Sequence, residues 1–113
     1  MIEKIIIDYL SENLTVPVFA EVPADDSGRF VLIEKTGSSR VNYLDSATIA
    51  VQSYADTLLD AAELNQITKG YMLALPENSD EVSAVRLDTD YNFTDTETRK
   101  YRYQGVFIVT YYE

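Results

Sequence analysis

Apolar residues open the chain at Ile2, Ile5, Ile6, Tyr9 and Leu10, the i, i+3, i+4, i+7, i+8 spacing of one helix face. Glu3, Lys4, Asp8 and Glu12 take the other side, which predicts an amphipathic helix over Ile2 to Asn13, with Ile7 at the edge of its stripe. A helix of about three turns is marginal alone and needs a sheet to pack on. Val16 to Pro23 reads as extended, and Pro17, lacking an N–H, places it at a strand start or sheet edge. Pro23 to Gly28 carries turn residues. Arg29 to Thr36 is a strand, and its run Phe30-Val31-Leu32-Ile33 predicts burial on both faces. Residues 37–45 read as a polar loop, and Ser46 to Tyr54 as a strand with Ala47, Ile49 and Val51 on one face and Thr48, Ala50 and Gln52 on the other.

Asp56 is a candidate N-cap for a second helix over Thr57 to Leu75, ended by Pro76. At about 100° per residue, Ala55, Leu58, Leu59 and Ala62 cluster on one face, whereas Leu64, Ile67, Tyr71 and Leu75 cluster nearly opposite. Three readings stay open: a core helix covered on both sides, a subunit contact on one of them, or a break near Leu64. Gly70 lowers helix propensity in the same stretch.

After the polar connection Glu77 to Glu81, two long alternating segments follow. In the first, Val85, Leu87, Thr89, Tyr91 and Phe93 alternate with Ala84, Arg86, Asp88, Asp90 and Asn92. In the last, Tyr101, Tyr103, Gly105, Phe107, Val109 and Tyr111 alternate with Lys100, Arg102, Gln104, Val106, Ile108, Thr110 and Tyr112. Strands of this length predict a twisted C-terminal β-hairpin that projects beyond the sheet. The order αβββαββ, without repeat or linker, predicts a single α+β domain over residues 1–113. Its sheet would be mostly antiparallel, with both helices on one face.

Charge and composition then narrow the function. A formal net charge of −10 on 113 residues disfavours non-specific nucleic-acid binding and docking on anionic membranes. The absence of cysteine and histidine removes disulfides, thiol chemistry, most zinc sites and a Ser-His triad. The longest apolar run, Ile5-Ile6-Ile7, is far short of a membrane span, and the first residues lack the pattern of a signal peptide. Two Asn-x-Thr triplets, at Asn13 and Asn92, read as chance matches to the glycosylation pattern.

Chemistry is sparse. Asp88 and Asp90 share a predicted strand face with Arg86, which describes a solvated charged surface better than an acid–base pair. Neither Asp88-Thr89-Asp90 nor Asp95-Thr96-Glu97 has the glycine and spaced ligands of a calcium loop, and Gly37-Ser38-Ser39-Arg40 is a weak phosphate signal. No catalytic residue, metal or cofactor is expected. The cations are more telling: Arg99, Lys100 and Arg102 open the last strand across the turn from Asp88, Asp90, Asp95 and Glu97. They either pair across the hairpin or meet carboxylates of a neighbouring copy, setting register in a head-to-tail assembly.

The chain resembles the tail terminator (tail completion) proteins and related minor tail proteins of long-tailed bacteriophages. The residues that carry the resemblance are the N-terminal helix leading into Val16-Pro17-Val18-Phe19, the strand Phe30 to Glu34 before a polar loop, and the strand Ala47 to Tyr54 running into the second helix. The ending adds Tyr91-Asn92-Phe93, a Thr/Asp turn and Arg99-Lys100-Tyr101-Arg102-Tyr103. The resemblance implies a structural protein that forms a ring, usually a hexamer, on the head-proximal end of the tail. Its implied partners are other copies of itself, the tail tube protein and the head–tail connector. DNA would pass through the ring without specific binding, and no membrane is involved. Assembly would take place in the bacterial cytoplasm and leave the protein in the virion tail. The alternatives are another neck or head–tail joining protein, or an acidic stand-alone protein-binding module. Candidate contact residues are Asp88, Asp90, Arg99, Lys100 and Arg102 on the hairpin, Arg40 in the 37–45 loop, and Leu64, Ile67 and Tyr71 on the second helix.

Overall fold

In a computed structural model, which describes residues 1–25, 28–97 and 100–112, two helices lie on one face of a five-stranded sheet. The elements run α1 (Ile2–Asn13), β1 (Val18–Phe19), β2 (Phe30–Val41), β3 (Leu44–Ala55), α2 (Leu58–Asn78), β4 (Val82–Asn92) and β5 (Tyr101–Tyr112). The strand order is β1-β2-β3-β5-β4. Only β1 pairs in parallel, with β2; β2–β3, β3–β5 and β5–β4 are antiparallel. The class is α+β, and the predicted order of elements holds.

The helical period of α1 buries Ile2, Ile6 and Leu10 and half-buries Ile5, Ile7 and Tyr9. These meet Val31 and Ile33 of β2, Ala47, Ile49 and Val51 of β3, and Phe107, Val109 and Tyr111 of β5 in one apolar cluster, to which α2 adds Leu64, Met72 and Leu75. The two-sided burial read from Phe30 to Ile33 is present, because Phe30 and Leu32 point to the opposite face. There Phe30 stacks on Tyr54 with ring centroids 4.4 Å apart, and Phe19 meets Phe30 edge-on at 5.9 Å.

Four expectations are corrected. Residues 37–45 are not a loop: β2 continues to Val41, pairs with Leu44, and turns through two residues, Asn42 (φ 53°) and Tyr43 (φ 69°). Two positive φ values in a two-residue hairpin define a type I′ turn, whose sequence signal is normally Asn-Gly. Second, Pro76 does not end α2, which runs on to Asn78. The ring removes only the N–H that would reach Met72, and Asn78 Nδ2 donates to Ala74 O at 2.9 Å to complete the last turn. Third, the N-cap is Thr57 rather than Asp56, its Oγ1 accepting from Asp60 N at 3.1 Å. Fourth, α2 is unbroken and buries a single stripe: Ala61, Leu64, Asn65, Thr68, Met72 and Leu75. Small and polar residues occupy part of that stripe, so hydrophobicity alone hides it. Of the predicted opposite face, Leu58 and Leu59 are exposed.

The predicted face assignment of β4 also changes. Register shifts lie between Val82 and Ala84 and between Leu87 and Thr89. The second shift turns Asp90 toward the helix layer, where α2 side chains bond it, and Tyr91 toward the open face, where Gln104 bonds it. The turn read at Pro23 to Gly28 includes Asp26 and Ser27, which lie outside the described residues; Gly28 has φ 80°, a turn conformation.

Candidate functional site

Three side-chain arrangements stand out on this frame. The first joins α2 to β4 and β5. Gly105 of β5 has no side chain, and a Cβ built there would lie 2.9 Å from the Phe107 ring and 3.6 Å from Asn65 Oδ1. That gap admits Asn65, which is buried and donates from Nδ2 to Asp90 Oδ2 at 3.0 Å. Lys69 Nζ, one helical turn on, reaches the same oxygen at 3.0 Å. The Lys69 ammonium, and less strongly Asn65, hold the Asp90 carboxyl below the usual carboxylate range against the opposing effect of burial. A general acid needs the opposite shift. Asp88 stays exposed 3.8 Å from Arg86, so the two carboxylates predicted to share a face have separate partners.

The second arrangement crosses the helix-free face. Arg102 donates to Tyr54 OH (2.8 Å), Tyr54 to Gln52 Oε1 (2.9 Å), Gln52 to Gln104 Oε1 (2.7 Å), and Gln104 to Tyr91 OH (2.6 Å). Every donor in this relay points the same way, so each bond polarises the next. Its head is fixed by geometry: the Arg102 guanidinium lies 4.4 Å from the Phe93 ring centroid and 5.6 Å from that of Tyr54, and Nε donates to Phe93 O at 2.6 Å. The relay ties the β4–β5 hairpin to β3 and offers no nucleophile or base.

The third is a shallow groove of about 320 Å³ on the outer side of α2, lined by Gln66, Ile67, Gly70, Tyr71 and Ala74. Its lining is mostly apolar. Tyr71 is half-buried because Tyr9 of α1 packs edge-on against it (6.4 Å) and donates from its hydroxyl to Tyr71 O at 2.8 Å. Burial and the neighbouring Tyr71 push the Tyr9 phenol above its ordinary value.

These geometries distribute the sequence-derived candidates as follows. Ile67 is exposed and Tyr71 borders it in the groove, whereas Leu64 belongs to the core, 2% exposed, and presents no surface. Arg40, on β2 rather than in a loop, is exposed and 3.6 Å from Asp45. Lys100 pairs with Asp95 in the hairpin ladder, with Asp95 N donating to Lys100 O at 3.2 Å. Arg102 serves the relay, and Asp90 the junction with α2. Arg99 lies outside the described residues. The Gln52–Gln104–Tyr91 relay and the Asn65–Lys69–Asp90 junction were missed in the sequence; the polar residues Gln52 in a strand and Asn65 in a helix, both buried, carry no pattern that marks them there.

Among the described residues no cluster of three or more carboxylates is placed to hold a metal ion, and no helix is long and apolar enough to cross a membrane. No protein-family model matches the chain, and no curated protein is found to be similar to it.

Proposed function

We propose that this chain is a ring-forming structural subunit of a long-tailed phage, of the tail terminator kind, which caps the head-proximal end of the tail tube and meets the head connector. The observation that carries the reading is the outer side of α2. Its inner side already fills the core, yet Ile67, Gly70, Tyr71 and Ala74 form an apolar groove outside it, a surface suited to a contact beyond the chain. The separate ion pairs of Asp88 and Asp90 support a role without catalysis at that pair, and no metal or cofactor enters the reading. The net charge of −10 suits a channel wall along which DNA slides without adhering. Its partners are then copies of itself, the tube protein and the connector, with the virion tail as its place.

The test is to mix the purified protein with tail tube protein and follow it by light scattering and electron microscopy. The expected result is rings at one end of the tubes and an end to tube growth. A chain that stays monomeric at high concentration and leaves tube ends bare refutes the proposal. A stable monomer that captures a basic protein would favour the acidic binding module instead, the reading to which the carboxylates Asp56, Asp60 and Glu63 at the start of α2 lend weight.

A further inference from the structure

Two residues of this chain are poor choices for the fold that carries them. Tyr43 sits at φ 69° in the β2–β3 turn, where glycine is the unstrained residue. Its side chain gains little within the chain to offset that, being 85% exposed, the most exposed of the large apolar residues described. Gly70 lies in the middle of α2, where alanine would be more favourable. A Cβ added there would meet nothing within 4 Å, so no neighbour inside the chain requires the glycine.

The two anomalies match in shape. Ile67, Gly70, Tyr71 and Ala74 occupy positions i, i+3, i+4 and i+7, the four-residue hole that receives one knob in helix packing, and Gly70 enlarges it. Tyr43 is a knob at the end of a sheet. The charges match as well. Glu63, Ile67, Gly70, Ala74 and Glu77 follow one another at spacings of four and three, so an exposed carboxylate lies in line with the groove one turn beyond each end. Near the Tyr43 turn stands one exposed cation, Arg40, whose 3.6 Å pairing with Asp45 can be exchanged for a carboxylate of the groove.

We propose that the Tyr43 turn of one copy seats in the α2 groove of the next, with Arg40 brought near the groove carboxylates. The two surfaces differ, so the contact is head-to-tail and propagates to a closed ring or a filament. This rests on the reading of the chain as a self-assembling subunit and names the element that fills the groove.

The experiment uses the absence of cysteine in the chain. Tyr43→Cys and Ala74→Cys proteins are mixed under assembly conditions and oxidised, with Tyr43→Cys and Ser11→Cys as the control pair. A mixed disulfide between positions 43 and 74, and none in the control, supports the contact. In parallel, Tyr43→Gly and Gly70→Ala remove the knob and fill the hole. Both should hold or raise the melting temperature while raising the concentration needed for assembly by about tenfold or more. Damage to the fold would instead lower the melting temperature while assembly weakens, and would overturn the argument. Normal assembly of both variants without the 43–74 disulfide overturns this contact and leaves the ring standing. A wild-type chain that never assembles, alone or on tubes, overturns both.

Discussion

Replacing Asp90 with alanine tests the junction that sets the position of α2. Two donors lose their common acceptor: Asn65 Nδ2 and Lys69 Nζ, each 3.0 Å from Asp90 Oδ2. Lys69 keeps access to water, with 21% of its side chain exposed, and can turn outward at little cost. Asn65 is 4% exposed and cannot. The loss is therefore set by one stranded buried amide, about 1–2 kcal/mol. With an unfolding entropy of roughly 2.1 cal/mol/K per residue, 113 residues give about 0.24 kcal/mol/K, so the melting temperature should fall by about 4–8 °C at neutral pH. The pH dependence supplies a second check. The folded-state pKa of Asp90 is lowered, so its contribution is present above the ordinary value near 3.8 and is lost as pH falls through the folded value. The gap between wild type and Asp90→Ala should then narrow below about pH 4 in thermal melts followed by circular dichroism. Equal melting temperatures at neutral pH, or a gap that stays constant into acid, would refute the assigned role.

Other outcomes follow from the same contacts. Gly105→Ala drives a methyl to 2.9 Å from the buried Phe107 ring beneath Asn65, which should cost about 1–3 kcal/mol in denaturant unfolding; a change under about 0.5 kcal/mol would show that the ring yields freely. Tyr9→Phe removes the hydroxyl that joins α1 to Tyr71 O and should cost about 0.5–1.5 kcal/mol. Because the folded-state pKa of Tyr9 is raised, the wild type keeps that contribution below the ordinary tyrosine value near 10.0 and loses it as pH rises through the folded value. Ultraviolet phenolate titration should lose a late-titrating component in Tyr9→Phe.

The residues show which parts of this fold are local. The stripe Ile2, Ile6, Leu10 needs only the helical period to be read, and the structure buries those three side chains. The alternation in β3 and β5 likewise assigned Ala47, Ile49, Val51, Phe107 and Val109 to one face. The β2–β3 hairpin was hidden because its turn uses Asn42-Tyr43 without the expected glycine. The stripe of α2 was hidden because Asn65 and Thr68 are buried in it, made tolerable by Asp90, 25 positions beyond Asn65 in sequence, and by Thr68 Oγ1 donating to Leu64 O.

The candidate contact surfaces divide the same way. Sequence alone determined the class, the order of elements, the acidic charge and the absence of histidine and cysteine chemistry, because composition and periodicity are properties of single residues and their neighbours. Tertiary structure decided which residues remain available for contact. The bulge at Leu87–Thr89 committed Asp90 to α2, the aromatic stack committed Arg102 to Tyr54 and Phe93, and packing withdrew Leu64 into the core while leaving Ile67 beside an open groove. A side chain's partner is fixed by register and helix rotation across the whole sheet, and a one-residue shift in either reverses the face it occupies.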